Sequence, residues 1–351
     1  MGRTCVETTA LKEYRFDLPS EVRAGLIKRI DIQKFRAIAT GSLTDLTPLV
    51  VLVGPNGCGK SSVLDALLAG ASEHLQPAVT TVVERQDKVI AGYPRQGGAD
   101  FDYPNRRWLI HRGTNDAAII DIYAEPEASR RVRIVIDNSR NFQVSQEKMP
   151  LSRSESPLAT KLTANVRLID SSHPDINASL EELYSRAVKG GLGREAKDRL
   201  LEVLAPAEDI QILSEMERPV LHIVFPGNPG FAHPAALLGE GLKLYLRQSL
   251  ELTDRPNSLV LIEEPETHLN PGIMRYSAKA IWAAVRRTTQ VILATHSLEF
   301  LDILLEESNA DELRDMLSLF RLELREGVLS TCRLSGDQVQ AARETLAEDL
   351  R

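Results

Sequence analysis

Eight consecutive residues, Gly54-Pro55-Asn56-Gly57-Cys58-Gly59-Lys60-Ser61, complete a G-x-x-x-x-G-K-[ST] phosphate-binding loop, and Ser62 carries it into the next segment. Upstream, Leu49-Val50-Val51-Leu52-Val53 is an unbroken apolar run, the pattern of a strand buried on both faces. Downstream, Val63, Leu64, Leu67 and Leu68 recur at helical spacing, and Gly70 predicts the stop. Strand, glycine loop and helix in that order constrain the fold strongly. The glycines let backbone N–H groups curl around phosphate oxygens without a Cβ in the way. The helix N-terminus adds partial positive charge and free donors. Lys60 is placed to reach the β- and γ-phosphates, and Ser61 to offer its hydroxyl to Mg²⁺. A bound nucleotide is therefore expected.

Composition narrows the setting. A chain of 351 residues has room for one large domain or two, and for a proper core. No apolar run approaches the roughly 18 residues a membrane span needs, and the N-terminus lacks the apolar stretch of a signal peptide. The net charge of −7 excludes a chain that is basic throughout, although a local basic face stays open. Cys5, Cys58 and Cys332 lie too far apart for metal-ligand spacing, and Cys58 reads as a small packing residue inside the loop. These features together point to a cytoplasmic protein.

Residues 1–25 are polar and mixed and read as an arm. Ile27, Ile30, Ile32 and Phe35 predict a strand, with a turn at Thr40-Gly41. Residues 71–107 are rich in Gly, Pro and Asp and give no clear element. Leu109 to His111, Ala117 to Tyr123 and Arg131 to Ile136 predict short strands of an antiparallel sheet. Residues 137–163 read as loop. Two helical faces follow, Leu180, Leu183, Tyr184 and Ala187, then Ala196, Leu200, Leu201 and Leu204, broken by Gly190-Gly191-Leu192-Gly193. Val220 to Phe225 predicts a strand. Helix and strand then alternate: Leu242 to Leu250, Ser258 to Ile262, Ile273 to Val285, Val291 to Ala294 and Leu298 to Leu305. This alternation predicts an α/β fold with a largely parallel sheet. A hairpin turning at Glu326-Gly327 and a short helix close the chain.

Three further motifs carry chemistry. Leu259-Val260-Leu261-Ile262-Glu263-Glu264-Pro265-Glu266 is four apolar residues running into two carboxylates, a Walker B pattern. Glu263 is expected to hold Mg²⁺ through water, since that ion keeps several waters. Glu264 is expected to polarise the water that attacks the γ-phosphate. A strand then ends at Thr295-His296-Ser297, where His296 is placed to contact the γ-phosphate. Gly239-Glu240-Gly241 opens a helix, with Lys243 behind it, and makes a second anion site, read as binding the nucleotide of a second subunit.

In this order the four motifs resemble those of the ABC-type ATPases, and within them the soluble RecF-like and OLD-like branch related to SMC proteins. Ile30-Asp31-Ile32-Gln33-Lys34-Phe35-Arg36 is similar to that branch's opening strand and Phe-Arg element. Gly239-Glu240-Gly241 is similar to its short signature, and Glu264-Pro265-Glu266-Thr267-His268-Leu269-Asn270-Pro271 to its Glu-Pro-Glu-x-x-Leu-His-Pro segment. The resemblance covers roughly 26–305 in patches, and the closing Glu348-Asp349-Leu350-Arg351 is also like tails of such ATPases. It implies an ABC-type head: an arm at 1–25, an ATPase lobe with an antiparallel β-subdomain at 26–136, a loop and helical insertion at 137–235, and a second ATPase lobe at 236–351. It implies ATP and Mg²⁺ as ligands, with Lys60, Glu264 and His296 catalytic. Two heads would sandwich ATP, each nucleotide held by one subunit's loop and the other's signature, in a homodimer or a higher homo-oligomer. Two positions depart from the pattern: Glu263 stands where the family has Asp, and Asn270 where it has His. Gln76, Gln86 and Gln96 all lie where a Q-loop glutamine belongs, and none has convincing flanks.

OLD proteins continue into a Toprim nuclease domain, whereas fifty-five residues follow His296 here. The expectation is an ATPase that regulates a separately encoded effector, a nuclease or toxin, in phage defence or DNA maintenance. A nucleotide-sensing scaffold with little or no hydrolysis is the alternative, kept open by Glu263. The Phe-Arg opening, the short signature and the large 101–235 insertion argue against a transporter subunit, and the signature argues against a P-loop kinase. Arg95, Arg106, Arg107, Arg112, Arg130, Arg131 and Arg133 form the densest basic stretches and leave direct contact with nucleic acid open.

Overall fold

A computed structural model describes residues 25–90, 106–125, 128–137, 142–147, 166–170, 178–227, 231–253, 258–344 and 349–350. The arm read at 1–25 lies almost wholly outside them, and Cys5, Arg95, Gln96, Glu348 and Arg351 also lie outside.

The chain opens with the antiparallel pair β1 (Leu26–Phe35) and β2 (Ile38–Thr44), followed by β3 (Leu49–Val53). The phosphate loop leads from β3 into α1 (Lys60–Ala71), and α2 (Leu75–Ile90) follows. The strands β4 (Ala118–Glu125), β5 (Ala128–Ile136) and β6 (Phe142–Glu147) form an antiparallel extension on β1. Then come β7 (Val166–Asp170), α3 (Leu180–Lys189) and α4 (Gly193–Val203). A separate antiparallel sheet holds β8 (Asp209–Glu215), β9 (Arg218–Phe225) and β10 (Phe231–Pro234). The last third comprises α5 (Glu240–Thr253), β11 (Leu259–Glu263), α6 (Pro271–Arg286), β12 (Gln290–Ala294), α7 (Leu298–Glu306) and α8 (Ala310–Met316). It ends with the hairpin β13 (Leu317–Arg325) and β14 (Val328–Ser335), then α9 (Gly336–Glu344).

One sheet of eleven strands runs β6-β5-β4-β1-β2-β14-β13-β3-β12-β11-β7. The block β13-β3-β12-β11-β7 is parallel throughout. The fold is thus α/β, a mixed sheet with a parallel core, an antiparallel wing and a small second sheet. Among the described residues no helix is long and apolar enough to cross a membrane.

The unbroken apolar runs follow from where the parallel strands sit. Side chains alternate across a strand, so a strand covered on both faces needs apolar residues at every position. Leu49, Val51 and Val53 enter one core, with α3 to α7, while Val50 and Leu52 enter the other, with α1 and α2. β11 divides in the same way, Val260 and Ile262 against Leu259 and Leu261. Each fully buried side chain of this size contributes about 1.5–3 kcal/mol.

The structure differs from the sequence reading in several places. β6 lies in the span read as loop, and α2 in the span left without a clear element. β7 lies inside 137–235, the span read as an insertion, yet it pairs in parallel with β11 and so belongs to the central sheet. Leu109 to His111 is a pair of 3-10 turns joined to β1 by a single bridge, Ile110 to Phe35; the positive φ of Arg112 turns the backbone out of a strand. The reasons are local: β7 offers only two consecutive buried apolar residues, Leu168 and Ile169, too few to register as a pattern.

Candidate nucleotide site

Parallel strands in register end together, and that places the motifs. Glu263 of β11 stands level with Ala294 of β12 on one side and Asp170 of β7 on the other, and Ala294 stands level with Leu52 of β3. The phosphate loop, the two Walker B carboxylates and Thr295-His296 therefore leave the sheet at one edge, the carboxyl ends of its strands, where open α/β sheets hold ligands. The N–H of Thr295 donates to Leu52 O at 3.1 Å and that of Glu264 to Ala294 O at 2.9 Å, fixing the three exits relative to one another.

The loop takes its shape from Gly54, Gly57 and Gly59, all in the positive-φ region at 142°, 79° and 98°. A Cβ on Gly54 would stand 2.6 Å from Leu322 O and 2.7 Å from Cys58 Sγ, so only glycine fits between the loop and β13. Cys58 is a free, buried thiol, and its N–H donates to Pro55 O at 3.2 Å, while Pro55, Asn56 and Gly57 face solvent. No side chain caps α1, and its first turn holds no acidic residue, so its leading N–H groups are not claimed by a cap. Lys60 is 7% exposed, and its Nζ donates to Gly54 O at 2.8 Å and Pro55 O at 3.2 Å. Burial pushes its ammonium below the usual lysine range, opposed in part by Cys58 and by the carboxylates of Glu264 and Glu263. Ser62 is buried beneath the loop.

The Ser61 hydroxyl donates to Glu263 Oε1. Glu264 lies just past the strand with φ 49°, and this turn brings Glu264 Oε1 to 3.5 Å from His296 Nε2. Thr267 Oγ1 donates to Glu264 Oε2 at 3.4 Å. Glu266, to which the sequence reading gave no role, organises the neighbouring strand end: its Oε1 accepts from Thr295 Oγ1 at 2.6 Å and from the N–H groups of His296 and Ser297, each at 3.2 Å. A charged acceptor serving three donors is a strong anchor for the segment that carries His296. Asn270 caps α6, accepting from Ile273 N at 3.0 Å with Pro271 in the first turn.

Gly239 and Glu240 are exposed at the N-terminus of α5, and Glu240 pairs with Lys243 at 2.5 Å. A Cβ on Gly241 would meet His268 O at 2.5 Å. The start of α5 therefore packs backbone to backbone on the turn after Walker B, and not on the phosphate loop of the same chain in any hydrogen bond or ion pair described.

A cluster the sequence reading missed lies behind Glu263. Arg85 of α2 pairs with Asp65 of α1, Asp170 of β7 and Glu263, the Asp170 contact being 2.9 Å. Arg36, the arginine of the opening Phe-Arg element, pairs with the other oxygen of Asp65. Withdrawal from water, and then the neighbouring Arg85, push the Arg36 guanidinium down to about 10, still charged at neutral pH. Nothing in local spacing links residues 36, 65, 85, 170 and 263; the sheet brings them together. Gln76 and Gln86 both fall on α2.

The donor set suits Mg²⁺ with nucleotide phosphates: a hydroxyl and a carboxylate, hard oxygen donors already in contact, beside a lysine and an uncapped helix start. The strand arginines of the basic stretches are engaged within the chain. Arg130 is buried and donates to Ser72 O at 2.6 Å, Arg131 forks onto Asp121 at 2.6 and 2.7 Å, and Arg133 pairs with Glu147 at 3.5 Å. Arg106 and Arg107 lie over the rings of Phe142 and Trp108.

The family model described as "AAA domain, putative AbiEii toxin, Type IV TA system" matches residues 49–302. The uncharacterized protein MJECL11 of Methanocaldococcus jannaschii is 32% identical over 115 residues, which is 32% of this chain and 99% of that protein. Two solved structures share the fold. A SmcHead bound to the C-winged helix domain of ScpA superposes with a TM-score of 0.54 at 14% identity, covering 90% of this chain and 99% of that one. A Smc head domain with an extended coiled coil, bound to the C-terminal domain of ScpA derived from Pyrococcus furiosus, gives 0.54 at 12% identity, with 92% and 100% covered. At these identities the likeness is one of fold alone: the chain has the fold of the Smc head domains.

Proposed function

The chain belongs to the AAA-domain family whose model spans residues 49–302, and from that premise and the geometry of its site we propose that it binds ATP with Mg²⁺ and hydrolyses it between two copies of the head. The observation that carries the reading is the convergence at one sheet edge of Gly54–Ser61, Glu263, Glu264 and His296, with the last two side chains 3.5 Å apart.

In this reading the backbone of Gly54–Ser61 and Lys60 hold the β- and γ-phosphates, aided by the start of α1. Ser61 and Glu263 would hold the metal. When bound, Mg²⁺ neutralises charge on the phosphates. Glu264 accepts a proton from the water that attacks the γ-phosphorus, and ADP leaves. His296, oriented through the Glu266 anchor, contacts the γ-phosphate and keeps Glu264 in place. Gly239-Glu240-Gly241 completes the site of the partner head. ATP thereby shifts an open–closed equilibrium of the pair, and hydrolysis resets it.

The reading extends to a cytoplasmic, RecF-like or OLD-like regulator of a separately encoded effector, a nuclease or toxin, in phage defence or DNA maintenance, with nucleic acid met directly or through that partner. The family description, which names a toxin, and the separate ScpA domains held by the fold's solved relatives support a head that works with another protein. The pairing of the strand arginines favours contact with nucleic acid through the partner.

A nucleotide-sensing scaffold is the second reading, favoured by Glu263 and by its hold on the Ser61 hydroxyl. Turnover of ATP by the chain and by Glu264→Gln separates the two. Hydrolysis reduced by about 10²–10⁴-fold in the variant, with ATP still bound, supports the enzyme; equal rates remove it.

A further inference from the structure

We propose that Arg85 is a positioning residue for the metal-side carboxylate, and that it adapts the site to a glutamate at position 263. The inference rests on the nucleotide-site reading above and deepens it.

Glu263 is one methylene longer than aspartate, so its carboxylate reaches farther from the strand and has more rotamers to lose. Left alone, such a side chain spreads over several positions at the mouth of the site. Here both of its oxygens are held. Ser61 takes Oε1 from the side of the phosphate loop, and Arg85 takes Oε2 from behind. The Arg85 side chain is 8% exposed and is itself fixed by Asp65, 1% exposed, and Asp170, 6% exposed. Its three carboxylate partners come from three different elements, α1, β11 and β7, and a planar fork with five donors can serve all three at once. Lysine, a point charge with three donors, cannot reproduce that geometry. Asp65 lies one turn below Ser61 on α1, and Arg36 holds its second oxygen. The arginine therefore ties the helix that carries Ser61 to the strand that carries Glu263. In the nucleotide complex the Ser61 hydroxyl turns to the metal, and Arg85 is then the contact that keeps Glu263 facing it.

The test compares ATP affinity, measured by calorimetry, in excess EDTA and in excess Mg²⁺ for the wild-type chain, Arg85→Lys, Glu263→Asp and the double variant, with thermal midpoints recorded alongside. Arg85→Lys keeps the buried positive charge, and the thermal midpoint reports what the change costs the fold. The expected result is that Arg85→Lys leaves affinity in EDTA within about twofold but cuts the gain conferred by Mg²⁺ by about tenfold or more, a free-energy difference of about 1.4 kcal/mol. In the Glu263→Asp background, where the shorter side chain no longer needs the hold, Arg85→Lys should change the Mg²⁺ gain by less than threefold. Equal Mg²⁺ gains in wild type and Arg85→Lys overturn the proposal while leaving the nucleotide site intact. Parallel losses in EDTA and Mg²⁺ with a lowered thermal midpoint also overturn it, as the mark of a merely structural arginine. A wild-type chain that binds no ATP under either condition overturns the nucleotide-site reading itself.

Discussion

Gly241 illustrates what a single residue decides in this molecule. Its φ is unremarkable for any amino acid, so its requirement is steric: a methyl group there would stand 2.5 Å from the His268 carbonyl. Gly241→Ala should force α5 away from the turn after Walker B at a cost of about 1–3 kcal/mol, read as a lowered urea midpoint at unchanged slope. An unchanged midpoint would mean that this contact is soft. The phosphate loop was legible because backbone chemistry demands consecutive residues, and its three positive-φ positions all proved to be glycine. Glu263, Glu264 and His296 were legible because each lies within two residues of the end of an apolar run. Glu266 was not, since a carboxylate two residues past Glu264 looks like any solvated turn until Thr295, His296 and Ser297 are folded onto it. Arg85, Asp65 and Asp170 were not either, because their meeting depends on helix and strand placement that no local pattern encodes.

At the scale of elements, β3, apolar at every position, and β11 and β12, apolar but for Glu263 and Gln290 at one end, were readable because burial on both faces leaves little alternative composition. β7 escaped because its outer residues, Val166 and Arg167, are only half buried at the sheet edge. Helix ends carry recognisable chemistry too. In α8, Asn309 and Glu312 form a capping box, and Glu312 also receives Arg286 of α6 at 2.6 and 2.9 Å. Those hydrogen bonds, before any other cause, hold the Glu312 carboxyl below the usual range. Its proton is therefore bound more weakly in the folded chain than in the unfolded one. The stability it adds is complete above the unfolded value near 4.3 and is lost as pH falls through the depressed folded value. Glu312→Gln should lower the unfolding free energy by about 1 kcal/mol or less at pH 7, since the pair is near the surface. That deficit should shrink below about pH 4. A deficit independent of pH would assign the effect to the cap and not to the ion pair.

For the molecule as a whole, the alternation of strand and helix after residue 236 announced the parallel block, while the strand order, with β14 and β13 set between β2 and β3, followed no sequence signal. The same sheet explains why a phosphate loop shares one edge with a Walker B strand and a histidine segment that follow it by more than two hundred residues. It leaves Gly239 and Glu240 exposed at the start of α5 and anchors that start to the Walker B turn, the arrangement from which we propose that a second head supplies the signature for each nucleotide. The direct measurement is the solution mass of Glu264→Gln by sedimentation, with and without Mg²⁺ and ATP, beside Lys60→Ala Glu264→Gln. The account predicts that Mg²⁺–ATP doubles the mass of the first protein and leaves the second unchanged. ATP bound by Glu264→Gln with no change in its mass would contradict it.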